Sequence, residues 1–265
     1  IDVLTIRRMA QSRCLGGATM ELVTGGAGFI GSHLVDTLVA EGKRVRVLDN
    51  FSSGREDFLS HHQDSGMVEI FKGDLLDIDA VKSAMEGIKT VHHLAANPDI
   101  RLGTEVTDTD LRQGTLATYN VLEAMRNSEV RRISFSSSSA IYGEASVMPT
   151  PETYGPVKPI SLYGASKLAS EALITAWCGT FGAKSWIHRF ANIVGPRGTH
   201  GVIYDFIHKL KTDPTRLEVL GNGLQEKSYM SAEDCVRAMV HLVDETDDAI
   251  NLYNLGTGDT CSVRR

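Results

Sequence analysis

The chain predicts an α/β protein built on a doubly wound parallel sheet, with a smaller second lobe toward its C-terminus. Three observations carry this. Short apolar runs of strand length alternate with segments of helical periodicity. A glycine cluster separates the first run from the first helix. A carboxylate closes the second run. Alternation of this kind gives βαβ units, whose right-handed crossovers put helices on both faces of the sheet and ligands beyond the carboxyl ends of its strands.

Met20–Thr24 is the first apolar run, followed by the glycine turn Gly25–Gly31 and a helical pattern from Ile30 to about Glu41. Arg44–Leu48 alternates as a half-buried strand does. Val68–Phe71, Thr90–Leu94 and Arg132–Ser136 are further strands, and Asp79–Glu86, Asp108–Arg126 and Tyr163–Trp177 are the helices among them. The proline-rich stretch Pro149–Pro159 reads as loop. From Asn192 the periodicity changes and short loops dominate, as expected of a second lobe. Residues 1–17 read as an extension outside the fold, 18–190 as the sheet domain, and 191–265 as the lobe, parts of it packing back on the large sheet.

Composition narrows the function classes. The 265 residues carry a net charge of −6, which provides no electrostatic footprint for nucleic acid or an anionic membrane. No apolar run approaches the roughly 18 residues that would span a bilayer. Cys14, Cys178, Cys235 and Cys261 are far apart and form no CxxC, so they read as reduced thiols of a cytoplasmic protein. The pairs His61-His62 and His92-His93 lack metal-ligand spacing, and no metal is expected.

Gly25-Gly26-Ala27-Gly28-Phe29-Ile30-Gly31 sets glycines at three-residue steps between a strand and a helix. Gly25 permits the tight turn, Gly28 lets a pyrophosphate approach the backbone, and Gly31 lets the helix pack close to the strand. The helix N-terminus then presents free N–H groups to a diphosphate. Asp49 at the end of the second strand can accept both hydroxyls of an adenosine ribose and repels a 2′-phosphate, and no arginine follows it. NAD is therefore the expected cofactor rather than NADP, in a Rossmann-type domain. Asp74 either holds the adenine edge or caps a helix.

Tyr163 and Lys167 lie four residues apart and share one helix face, where the ammonium is expected to favour the phenolate. Upstream, the serine run Ser136–Ser139 ends a buried strand at the functional edge of the sheet. The segments TGGAGFIGSHL (Thr24–Leu34), LDN (Leu48–Asn50), GDL (Gly73–Leu75), HLAA (His93–Ala96), SSSSAIYG (Ser136–Gly143) and YGASK (Tyr163–Lys167) stand in one order. In that order and spacing the chain resembles the extended short-chain dehydrogenase/reductases, the NAD-dependent epimerase/dehydratase family, and most of all its UDP-glucose 4-epimerases.

The resemblance implies roles residue by residue. Gly25, Gly28, Phe29, Ile30 and Gly31 would hold the pyrophosphate, Asp49 and Asn50 the adenosine ribose, and Asp74 and Leu75 the adenine. Leu94, Ala95 and Ala96 would line the path to the nicotinamide ribose. Ser138, Tyr163 and Lys167 would be catalytic, with Tyr163 and Lys167 also touching the cofactor and Ser138 and Ser139 the sugar. Asn192 and Lys227 would hold the diphosphate of a UDP-sugar, and Gly201, Val202 and Ile203 would line its uracil. Pairing through the helix before the serine strand and the Tyr163 helix would make a homodimer.

Three departures stand out. Gly114 occupies the position, four before Thr118, where relatives carry an Asn on the nicotinamide ribose. Ser231-Ala232 replaces a His-Val. Relatives continue for a few dozen residues past the segment Tyr253–Gly256, so the substrate lobe is expected to be incomplete. Dehydratases and decarboxylases of this group need an added acid between the serine and the Tyr-Gly. Here Ser139 and Ala140 stand there, which favours epimerisation. Another nucleotide-sugar enzyme of the same superfamily, a dehydratase or a reductase, and an NAD sensor without catalysis are the alternatives.

Overall fold

The computed structural model describes residues 20–99, 101–219, 223 and 226–262. The N-terminal extension read from the sequence lies outside these residues. Strands β1 (Met20–Thr24), β2 (Arg44–Asp49), β3 (Val68–Lys72), β4 (Ile88–His93), β5 (Arg132–Ser138), β6 (Lys184–Phe190) and β9 (Ile250–Leu255) form a seven-stranded sheet in the order β3-β2-β1-β4-β5-β6-β9. Every neighbouring pair is parallel. The order reverses between β1 and β4, where a doubly wound sheet opens its ligand crevice.

The inner strands are buried on both faces, and β1 shows how. Leu22 points to one core, with Val91, Ile133 and Phe135 of the neighbouring strands. Val23 points to the other, with Val45 and Val47. The first core is closed by α2 (Ile78–Ala84), α3 (Ala117–Arg126) and α4 (Leu162–Phe181), through Val81, Val121, Leu122, Met125 and Ile174. The second is closed by α1 (Phe29–Ala40) and α6 (Ala232–Glu245), through Leu34, Val35, Leu38, Val236, Met239 and Val240.

Two helical expectations change. The helix expected over Asp108–Arg126 is interrupted: Leu111–Leu116 is a turn of π-helix that runs into α3. The segment after Asn192, expected to be mostly loop, contains α5 (Val202–Thr212) and the fourteen-residue α6. Ser231, whose side chain accepts from the Asp234 amide at 3.0 Å, caps α6. Ser231-Ala232-Glu233-Asp234 is a capping signature that sequence reading can use. Strands β6 and β9 also went unread. The remaining strands, β7 (Asn192–Val194), β8 (Glu226–Ser231) and β10 (Thr260–Ser262), make a small separate sheet, β10-β8-β7. Residues 192–262 thus alternate between the two sheets.

Because Met239 is fully buried between α6 and the sheet, Met239→Ala should cost about 2–5 kcal/mol of unfolding free energy, by lost transfer and an unfilled cavity. Ile160→Ala, on an exposed side chain, should cost little. Denaturant unfolding of the two variants checks the contrast.

Candidate active site

The glycine turn is as tight as its sequence demands. A Cβ on Gly31 would lie 2.1 Å from the Gly25 carbonyl oxygen, and one on Gly25, whose φ is +70°, would lie 2.8 Å from the Ala95 backbone. The turn between β1 and α1 is therefore pressed against the end of β4, where Leu94, Ala95 and Ala96 stand. No side chain caps α1, and its first turn carries no acidic residue. Its positive end is thus free for an anion. Asp49 closes the far side. Its Oδ2 accepts from the Ala27 amide at 3.0 Å and its Oδ1 from the Phe51 amide at 2.8 Å. Each oxygen keeps a lone pair for a ribose hydroxyl. The helix that follows is capped by Asp77, not by Asp74, whose oxygens serve the turn. One oxygen accepts from Asn50 Nδ2 at 3.0 Å beside Asp49, and the other turns the chain by accepting from the Leu76 amide at 2.8 Å. Leu75 is held by its carbonyl, which accepts from Asn120 Nδ2 at 2.8 Å. The cradle, the open helix end and the paired carboxylates fit a dinucleotide.

Helix α4 brings the reacting pair to the end of β5. Ser161 starts it by accepting from the Gly164 amide at 3.0 Å, and Gly182, in the left-handed region, ends it. Tyr163 and Lys167 lie one turn apart on its inner face. The Lys167 ammonium is buried, donates to the Ser136 carbonyl at 2.6 Å, and stands 5.7 Å from the centre of the Tyr163 ring. Ser138 ends β5 and accepts from the Ala140 amide at 3.1 Å, leaving its own hydroxyl proton to give. Ser139 is exposed and makes the first residue of a short 3-10 turn.

The electrostatics correct one expectation. Burial pushes the Tyr163 phenol up to about 12, against an opposing hydrogen bond with Ser138 and with help from the Asp110 carboxylate. Burial pulls the Lys167 ammonium down to about 8, opposed by Glu171 and Asp110. Desolvation is the largest influence on the phenol, and Lys167, which donates to the Ser136 carbonyl, is not among the groups that shift it.

Several members of the site went unread in the sequence. Glu171, one turn beyond Lys167, accepts from Arg189 Nε at 3.0 Å and Nη2 at 2.8 Å and from the Ser137 hydroxyl, all buried. Arg189 also donates to the Tyr142 hydroxyl at 2.8 Å, which donates to Asn254 at 2.7 Å. His93 bridges Thr24 and Thr118 at 2.8 and 3.0 Å. Burial, with Lys167 nearby, holds it neutral with a pKa of about 3. Asp110 is 2% exposed, accepts from Asn97 Nδ2 at 3.1 Å through one oxygen, and leaves the other without a partner. The Gly114 departure belongs to the same place. It lies one turn after Asp110 in the π-helix, and a Cβ there would be 2.7 Å from Ser166 Oγ. The spacings Lys167-x-x-x-Glu171 and Asp110-x-x-x-Gly114 were the available signals.

The second lobe is looser. Asn192 Nδ2 donates to the Ser228 carbonyl at 3.0 Å and so ties β7 to β8. Lys227 is an exposed residue of β8, and Gly201, Val202 and Ile203 open α5. This last group is not packed around the serine–tyrosine–lysine centre, since α5 has no buried residue.

Residues 21–256 match the NAD dependent epimerase/dehydratase family, and the chain belongs to it. NAD is its cofactor. A UDP-glucose 4-epimerase of Mycolicibacterium smegmatis is 33% identical over 249 residues, which span 92% of this chain and 79% of that one. A crystal structure of a UDP-galactose 4-epimerase superposes with a TM-score of 0.82 at 45% identity, covering 92% of this chain and 80% of that one. A UDP-N-acetylglucosamine 4-epimerase from Methanobrevibacter ruminantium, in complex with UDP-N-acetylmuramic acid, superposes with a TM-score of 0.85 at 28% identity, over 93% and 79% of the two chains.

Asp110→Asn should lower the pH at which Tyr163 ionises. A carboxylate facing a phenol opposes the phenolate, so neutralising it makes the second negative charge cheaper. Following the near-ultraviolet tyrosinate band with pH, and subtracting Tyr163→Phe, measures it. An unmoved titration would show that Asp110 does not act on Tyr163.

Proposed function

We propose that the protein interconverts UDP-glucose and UDP-galactose by inversion at C4 through a transient 4-keto sugar. The observation that carries this is the meeting of Tyr163, Lys167 and Ser138 at the end of β5, beside the glycine cradle, with no added acid between Ser138 and Tyr142. Ala140 has no ionisable group, and Ser139 is exposed. Elimination of water across C5 and C6 needs an acid there. The kinship with 4-epimerases supports the same reading.

In this reading the Tyr163 phenolate takes the proton of the sugar 4-hydroxyl while the Ser138 hydroxyl shares it. The C4–H bond breaks as the C4 carbonyl forms, and after the 4-keto sugar turns over Tyr163 and Ser138 return the proton to O4 while the C4–H bond re-forms on the other face. NAD held by the glycine cradle would supply the hydride acceptor, and its positive ring would favour the phenolate that burial resists. Lys167 steadies that phenolate and the nicotinamide ribose. Lys167 and Tyr163 remain in register because Glu171 and Arg189 fix α4 to β5 and β6. Asn192 and Lys227 hold the diphosphate, and Gly201, Val202 and Ile203 approach the uracil, in a lobe that closes on the substrate.

Tyr163→Phe should lower the rate by on the order of 10²–10⁴-fold and leave NAD binding nearly unchanged. The assay couples UDP-glucose formation to UDP-galactose consumption, with UDP-N-acetylglucosamine as a parallel substrate. Equal turnover by the two proteins, or a 4-keto-6-deoxy product, would overturn the mechanism.

We also place the protein in the cytoplasm as a homodimer. Buried Cys178 and Cys235 are free thiols, and among the described residues no helix is long and apolar enough to cross a membrane. Leu111, Leu116 and Tyr119 stay exposed beside α3, and Leu162 and Phe181 beside α4, at 42–53%. A second copy would cover them. Sedimentation at micromolar concentration should give a dimer, and Leu116→Glu with Tyr119→Glu a monomer. A monomeric wild type would refute the pairing.

A further inference from the structure

Away from the cofactor crevice, three potential metal ligands converge. Asp36 stands on the outer side of α1. His61 and His62 occupy the 3-10 turn that follows β2 (Ser60–His62). The two imidazoles lie 4.0 Å apart, centre to centre. Both Nε2 atoms reach the same carboxylate oxygen, Asp36 Oδ1, His61 at 2.8 Å and His62 at 2.7 Å. All three ligand atoms lie within 4.8 Å of one another. Adjacent histidines have no helical or strand spacing that would make them share a ligand. The turn bends both rings to one point, and the third donor comes from a helix 25 residues earlier.

We infer that Asp36, His61 and His62 form a binding site for a single divalent transition-metal ion. The donor set argues the chemical class. Two imidazole nitrogens and one carboxylate oxygen suit Zn²⁺, Ni²⁺ or Co²⁺ and not Mg²⁺ or Ca²⁺, which take oxygen ligands. Ligand atoms each about 2 Å from a zinc ion stand about 3 Å from one another. The Nε2–Oδ1 separations need open by only a few tenths of an ångström to reach that. Only protons move in the side chains: each neutral ring releases its Nε2 proton to water and takes one on Nδ1, and the ion replaces the two N–H donors.

The surroundings support a ligand carboxylate. Arg197 Nη1 donates to the other oxygen, Asp36 Oδ2, at 2.8 Å and so orients the group, as outer partners do around metal-bound carboxylates. Burial pushes the Asp36 carboxyl up, but hydrogen bonds from His62, His61 and Arg197 more than offset it and hold it below the usual range. The His62 side chain is 11% exposed and that of His61 48%. One side of the site thus stays open to water, which completes the coordination.

The site also sits at a junction. Arg197 comes from the loop after β7, and the Pro196 carbonyl next to it is 3.0 Å from His33 Nε2 on α1. An ion here would clip α1, the turn after β2 and the loop of the second lobe into one unit. Its role would be structural, since the ligands lie on the outer side of α1.

The test uses the whole chain, stripped with a chelator and titrated calorimetrically with Zn²⁺, and separately with Co²⁺ followed by its visible absorption. Wild type should bind one equivalent, with Mg²⁺ in excess failing to compete. His62→Ala and Asp36→Asn should each weaken binding by at least 10-fold, and affinity should fall as the pH drops through the imidazole range, because protonated rings cannot ligate. NAD binding by each variant, unchanged, shows that the fold survives. No saturable binding by wild type, or equal binding by both variants, would overturn the site and leave the cluster a hydrogen-bonded hub around Asp36.

Discussion

No side chain fits between the turn after β1 and the first turn of α1. Gly31 sits so close to the Gly25 carbonyl that a single methyl would overlap it, and Gly25 in turn presses on Ala95. That contact draws three elements together at the point where the sheet order reverses. From it follow the depth of the cofactor cradle, the open helix end that faces it, and the closeness of β4 to β1. Asp49 secures the arrangement by tying Ala27 of the turn to the end of β2. The carboxylate that faces the cofactor is thus also part of the scaffold, and it is well placed because it is already half committed.

On the other side of the crevice the organising force is buried charge. Lys167, Glu171 and Arg189 are all nearly inaccessible, and charges so buried persist only with partners. Each finds one: Lys167 the Ser136 carbonyl, Glu171 the Arg189 fork and Ser137. The network locks α4 to β5 and β6, so the catalytic helix and the serine strand cannot slide apart. The same burial raises the Tyr163 phenol and lowers the Lys167 ammonium. In the proposed mechanism, the positive ring of NAD would offset this burial.

Much of this was legible in order. The glycine turn, the carboxylate closing β2, the serine run and the Tyr-x-x-x-Lys pair are local signatures, each within one turn or one strand end, and all fall where expected. The strands flanking them are apolar and short, and their period shows. The helices beyond Asn192 went unread. Helix α5 buries none of its residues, whereas α6 carries a helical stripe, Cys235, Val236, Met239, Val240 and Val243, and a Ser231 cap that were both open to reading. The π-turn at Leu111–Leu116 leaves no periodic trace at all. Asp110 and Gly114 are only four residues apart, yet nothing local says that one loses its exposure and the other its room.

By itself the sequence determined the class of fold and where the glycine turn and the Tyr163–Lys167 pair would fall, because each rests on residues close together in the chain. Folding alone decided which residues become neighbours across long separations. It set Glu171 against Arg189, aimed Asp110 at the catalytic helix and turned His61, His62 and Asp36 toward one point. It also reversed the sign expected for Tyr163, since a pKa depends on how much water is excluded and which charges face the group. That is a property of three-dimensional packing, which spacing along a chain does not encode.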